Sequence, residues 1–139
     1  MPEKIRVLLV DDNEDERAFM KEGFTASGLY VVVAEAASGD EFFQLIHQST
    51  ELLPQVVLSD LNMPGMNGYE VIQEVKADPY LQNISIVVLS NAPQVPFAEK
   101  CKRLGACAYY TKPDTFLEYE SFAKEIYGTV RACIQRDRI

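Results

Sequence analysis

Short apolar runs recur along the chain, each followed by a longer stretch in which apolar residues return every three or four positions. Residues 5–10, 30–35, 55–60, 84–90 and 107–110 are rich in Val, Ile, Leu and Tyr, and most are bounded by Gly, Pro, Asp or Asn. Runs of this length and composition predict buried strands. The intervening segments predict helices over about 14–26, 39–48, 68–76, a short one ending near 104, and 115–135. Asn13 followed by Glu16, and Thr115 followed by Glu118, have the spacing of capping boxes at two of the helix starts. Ser27-Gly28 closes the first helix, Asp78-Pro79 stops the third, and Gly105 suits the C-terminal cap of the fourth, which is entered through Pro93 and Pro96. Val71, Ile72 and Val75 form a helical stripe, as do Phe116, Tyr119, Phe122, Ile126 and Val130.

Strict strand-helix alternation predicts an α/β fold: a five-stranded parallel sheet with helices on both faces, joined by right-handed crossovers. At 139 residues, with no linker or low-complexity stretch, the whole span 1–139 is expected to form a single domain. The net charge of −8 disfavours a nucleic-acid partner and an anionic membrane surface, both of which call for basic patches. No apolar stretch approaches the roughly 20 residues of a membrane span, and residues 1–4 lead into the first strand without the pattern of a signal peptide. A cytoplasmic location is therefore expected. Cys101, Cys107 and Cys133 are odd in number and lack metal-type spacing, so they are expected to be reduced packing residues.

Chemistry concentrates where strands end. The central run Val56-Val57-Leu58-Ser59 leads into Asp60 and breaks at Pro64-Gly65. Asp11-Asp12 follow the first strand, Ser90 ends the fourth, and Lys112 lies just past the fifth. In a parallel sheet all these carboxyl ends share one rim, the usual site of ligand binding in such folds. Three crowded carboxylates need a positive partner, and hard oxygen donors with room for water suit Mg2+. A lysine and a hydroxyl across the same pocket could meet phosphoryl oxygens, so the set has the equipment of phosphoryl transfer, with Asp60 as ligand and nucleophile. Taken singly, each residue also has a structural explanation: turn acids, a helix-entry charge favoured by the dipole, a strand-end hydroxyl, a solvated cation. Their joint placement points to function.

Together, Val7-Leu8-Leu9-Val10-Asp11-Asp12-Asn13, the segment from Ser59 through Asp60-Leu61-Asn62-Met63-Pro64-Gly65-Met66-Asn67-Gly68, Val87-Val88-Leu89-Ser90 and Tyr109-Tyr110-Thr111-Lys112-Pro113 resemble the receiver domain of two-component response regulators. The resemblance covers essentially the whole chain. It implies the flavodoxin-like (βα)5 fold with strand order 2-1-3-4-5, and since the chain ends shortly after its fifth helix, a stand-alone receiver without an output domain is expected. It also implies that Asp60 takes a phosphoryl group from the phosphohistidine of a sensor histidine kinase or a phosphotransfer protein. Asp12 and Asp60 would ligate Mg2+ directly, with the Asn62 backbone carbonyl, and Asp11 largely through water. Lys112 would contact the acyl phosphate, Ser90 would hydrogen-bond it, and Tyr109 would be the aromatic switch. The face of the fourth helix, fifth strand and last helix would carry contacts to an unidentified output protein or a homodimer partner, or the chain would pass phosphate along a relay. The segment Lys76-Ala77-Asp78-Pro79-Tyr80-Leu81 resembles receivers that accompany sensor kinases, phytochrome-type ones among them.

Departures from the family pattern are Asn91 after Ser90, Asp114 after Lys112-Pro113, and Asn67 in place of an aspartate. His47, the single histidine, is expected on a helix surface, and Glu14-Asp15-Glu16 as a solvated helix start. An aspartyl-phosphate phosphatase of the haloacid dehalogenase type would need an acid where Asn62 stands, and a flavodoxin would need a Ser/Thr/Gly-rich loop where Asp11-Asp12-Asn13-Glu14 stands. A degenerate receiver serving only as a binding module is the third alternative.

Overall fold

The computed structural model describes residues 3–49, 53–91 and 94–138, except the side chains of 94–96. Strands β1 (Ile5–Val10), β2 (Tyr30–Ala36), β3 (Val56–Ser59), β4 (Ser85–Ser90) and β5 (Ala108–Thr111) alternate with helices α1 (Glu14–Ala26), α2 (Gly39–Gln48), α3 (Gly68–Ala77), α4 (Gln94–Leu104) and α5 (Tyr119–Asp137). All strand pairs are parallel and the sheet order is β2-β1-β3-β4-β5. The expected architecture and order are therefore both present.

The largely apolar character of β1, β3 and β4, interrupted in β1 only by exposed Arg6 and elsewhere by terminal serines, has a packing cause. Each is covered on both faces, so side chains pointing either way leave water. Leu8, Val10, Val57, Ile86 and Val88 pack with Phe42, Ile46, Val71, Ile72 and Val75 of α2 and α3, and with Cys101 of α4. Val7, Leu9, Val56, Leu58, Val87 and Leu89 pack on the opposite face against Met20 and Phe24 of α1 and Tyr119, Ala123, Ile126 and Val130 of α5. Strand β2 is one of the two edges, and its burial alternates less cleanly: Val31 is 43% exposed. Its register against β1 shifts between Val7 and Leu8, leaving Val33 out of the pairing.

Three expectations fail, each for a tertiary reason. Cys107, just before β5, and Cys133, on α5, form a disulfide with Cα atoms 5.8 Å apart. They are not reduced packing residues, and the inference from thiols to a reducing compartment falls with them. Twenty-six residues of sequence separate them, and only the return of α5 along β5 makes them neighbours. Cys101 does behave as expected: it is a free, buried thiol, which burial pushes up to about 11. The second failure is at Thr115. Its hydroxyl donates to the Glu118 carboxylate at 3.1 Å and caps no backbone N–H. A 3-10 turn, Phe116–Glu118, intervenes, so α5 begins only at Tyr119. The third is Glu16, taken up below.

The expected cap at Asn13 is present, and Ser38 and Asn67 cap α2 and α3. Asn13 accepts from the Glu16 backbone N–H at 3.0 Å, and Ser38 accepts from that of Glu41 at 3.1 Å. Asn67 and Glu70 form a full reciprocal capping box at α3. Of the proline entry to α4, Pro93 lies outside the described residues, while Pro96 falls in the helix's first turn, where a missing N–H is tolerated. His47 is exposed on α2, beside Phe43. Among the described residues no helix is long and apolar enough to cross a membrane.

Candidate phosphoryl-acceptor site

Strand register assembles the rim. Val10 pairs with Ser59, so the next residues, Asp11 and Asp60, leave the sheet side by side, and the Asp60 N–H donates to the Val10 carbonyl at 2.8 Å. Ser90 pairs with Thr111, and the Lys112 N–H donates to the Ser90 carbonyl at 2.9 Å. Residues from four strands thus meet at one edge, although 101 positions separate Asp11 from Lys112.

Asp11, Asp12 and Asp60 each offer a carboxylate oxygen, and these lie within 4.8 Å of one another. Asp11 and Asp60 are buried while Asp12 faces solvent. The Lys112 ammonium, also buried, donates to Asp11 Oδ2 at 2.6 Å and stands 3.8 Å from both Asp60 Oδ2 and Glu16 Oε1. One oxygen of Asp60 is committed locally, since Oδ1 accepts from the Leu61 N–H at 2.8 Å. That leaves Oδ2 turned toward the lysine.

Burial pushes the Asp60 carboxyl from its ordinary 3.8 up to about 6; Lys112 pulls it back, and Asp11 and Asp12 push it up again. For Lys112, burial alone would lower the ammonium, but the hydrogen bond it donates to Asp11 and the charges of Asp60, Asp11 and Glu16 outweigh it, and the net direction is upward. Lys112 thus faces the carboxylates of Asp11, Asp60 and Glu16 with a single charge, and the cluster accommodates a further positive ion. Three hard oxygen donors so placed fit Mg2+.

The loop after Asp60 is held close by Gly68, the first residue of α3. Its N–H donates to the Leu61 carbonyl at 2.8 Å, and a Cβ there would stand 2.6 Å from the Asp60 carbonyl oxygen. No side chain fits that gap. Asn62 is exposed at the start of this loop. On the other side of the rim Ser90 is fully buried, and Tyr109, 5% exposed, shares a side-chain hydrogen bond with it. Asn91, next to Ser90, is exposed.

A family model, the response regulator receiver domain, matches residues 7–119. The chain belongs to the response regulator receiver domain family. Among its relatives is the chemotaxis protein CheY of Thermotoga maritima, 37% identical over 109 residues that make up 78% of this chain and 85% of that protein. The probable chemotaxis protein CheY of Rhizobium etli is 26% identical over 93% of this chain and 97% of its own length. The phosphorylated cyanobacterial phytochrome response regulator RcpA superposes with a TM-score of 0.75 at 28% identity, covering 89% of this chain and 91% of that one. Several relatives are longer. The chain spans 46% of a probable transcriptional regulator of Guillardia theta and 23% of a probable cyclic di-GMP phosphodiesterase of Vibrio cholerae.

Against the receiver pattern, Asn67 has a clear local use: it caps α3. Glu16 is the residue that sequence reasoning misplaced. It is half-buried rather than solvated, close to Lys112, and it accepts from the Tyr119 hydroxyl at 3.2 Å. Its one sequence signal was its place in the first turn of a helix that begins at the acidic rim, and that signal was absorbed by the capping-box spacing. Tyr119 had been legible only as a member of an apolar stripe. Arg17 was not singled out; its Nη1 donates to the Asp11 carbonyl at 2.6 Å, and its Nε lies 3.6 Å from Glu35 on β2. It braces the loop that carries the two acids.

Proposed function

We propose that Asp60 is a phosphoacceptor and that the chain is a signalling module without an enzymatic product of its own. An Asp60 carboxylate oxygen attacks the phosphorus of a phosphohistidine on a sensor kinase or phosphotransfer protein. The P–N bond breaks, its electrons return to the imidazole, and the phosphoryl group stays on Asp60. The observation that carries this reading is the approach of Asp11, Asp12 and Asp60 within 4.8 Å beside the buried Lys112. A carboxylate kept electron-rich, with a cation across the gap, is equipped for in-line transfer, in which positioning and charge stabilisation supply most of the catalysis.

Asp12, Asp60 and the Asn62 backbone carbonyl would hold Mg2+, with Asp11, already engaged by Lys112, acting at one remove. When bound, the ion neutralises the phosphoryl oxygens. Lys112 orients the acyl phosphate from the other side, and Ser90 hydrogen-bonds it. Tyr109, packed inward beside Ser90, reports the change to the α4, β5 and α5 face, where an output protein or a second copy would bind. Self-catalysed phosphorylation from small donors and self-catalysed hydrolysis belong to the same reading, as does a cytoplasmic location shared with the donor. The likeness to RcpA supports a sensor kinase of the phytochrome type as one candidate donor.

Intact mass after incubation with acetyl phosphate, with and without Mg2+, tests this reading on wild type and Asp60→Asn. The expected outcome is a single Mg2+-dependent phosphoryl adduct that the substitution abolishes. No adduct on wild type, while a control receiver is labelled, overturns the acceptor role and leaves a binding module.

A further inference from the structure

Glu16 has no part in the chemistry just described, yet it faces Lys112, which has. Its two carboxylate oxygens have different neighbours. Oε1 lies 3.8 Å from Lys112 Nζ, the same distance that separates Nζ from Asp60 Oδ2. Oε2 accepts from the hydroxyl of Tyr119, the first residue of α5, at 3.2 Å. Both ends of this chain of contacts are anchored. The Lys112 side chain is 3% exposed and that of Glu16 16%, so solvent screens their attraction less than it would on the surface. Tyr119 is buried against α1, where Gly23 makes room for it; a Cβ at that position would strike the tyrosine side chain and backbone.

We propose that Glu16 is a positioning residue for Lys112: an anchored counter-anion, held by Tyr119, that competes with Asp60 for the ammonium and couples its position to the start of α5. The proposal rests on the reading of Asp60 as phosphoacceptor. Asp11 holds the ammonium at 2.6 Å, and Glu16, with its second oxygen fixed by Tyr119, adds a pull away from the place a phosphoryl group on Asp60 would occupy and negative charge beside an incoming anion. Phosphorylation strengthens the pull toward Asp60 and loosens the Glu16 contact. By linkage, a partner that shifts Tyr119 at the start of α5 alters how readily Lys112 reaches the phosphoryl group. Sequence chemistry alone would miss this, because Glu16 and Tyr119 are 103 positions apart.

The test uses full-length wild type, Glu16→Gln and Tyr119→Phe, each checked for an unchanged far-ultraviolet spectrum and a cooperative urea transition. Two quantities are read: the rate of labelling by acetyl phosphate with Mg2+, and the 15N resonance of the Lys112 ammonium in metal-free protein, assigned with Lys112→Arg. Glu16→Gln should label about tenfold faster, the change that ~1.4 kcal/mol produces, and Tyr119→Phe should move the same way by less. The ammonium resonance should shift in both variants. An unshifted resonance in Glu16→Gln, or a labelling rate that is unchanged or lower, overturns the proposal. Should wild type fail to label at all, the acceptor reading fails by itself, and the resonance still decides whether Glu16 and Tyr119 position Lys112.

Discussion

Replacing Asp60 by Asn should stabilise the metal-free protein at neutral pH, because the native fold holds this carboxylate in a place that disfavours its charge. The carboxyl is raised from 3.8 to about 6 by burial, with Lys112 opposing and Asp11 and Asp12 reinforcing. At ~1.36 kcal/mol per tenfold change in proton affinity, that is a cost of at most about 3 kcal/mol once the group is ionised. Small movements of the rim would bring it nearer half that value. The sign follows from proton linkage. Between pH 3.8 and about 6 the folded state binds more protons at this position than the unfolded chain does, so this group's contribution to stability falls as pH rises through that window. Asn carries no charge and loses nothing there. Urea unfolding in EDTA should give nearly equal stabilities for wild type and Asp60→Asn near pH 4, with the gap in favour of Asn opening to about 1.5–3 kcal/mol at pH 8. Saturating Mg2+ should narrow or reverse the gap, since an ion at a hundred times its Kd stabilises wild type by about 2.7 kcal/mol. A gap that is the same at pH 4 and pH 8, or one indifferent to Mg2+, would refute the electrostatic account and assign the effect to packing.

Gly68→Ala should cost about 1–3 kcal/mol in urea unfolding, because its Cβ would press on the Asp60 carbonyl, and it should slow phosphoryl labelling by displacing the acceptor loop. Asn67→Ala removes the α3 cap and should cost about 1 kcal/mol, with labelling preserved if Asn67 serves only the helix. Reduction, or Cys133→Ser, should lower stability by roughly 3 kcal/mol for a loop closed across 26 residues. Alkylation of protein unfolded without reductant should, by mass spectrometry, label only the Cys101 thiol.

The sequence by itself determined the alternation of strands and helices, and with it the rim. Apolar runs such as Val56-Val57-Leu58, alternating with helical stretches, point to strands buried on both faces of a helix-covered parallel sheet, and in such a sheet residues that follow strands must converge. Asp11, Asp60, Ser90 and Lys112 were therefore legible from strand ends alone. The cap at Asn13 was legible because both partners lie in one short window, whereas the caps at Ser38 and Asn67 came to light only in the fold. Tertiary structure decided what depends on contacts between distant segments. The disulfide exists because α5 runs back along β5. Before α5, Phe116 lies in a separate 3-10 turn and stacks on Phe19 of α1 with ring centres 3.9 Å apart, a contact between segments far apart in sequence. Glu16 turned inward because Lys112 and Tyr119, both distant in sequence, offer a buried cation and a hydroxyl. The upward push on Asp60 likewise comes from burial and the approach of other carboxylates, which only the folded chain brings about.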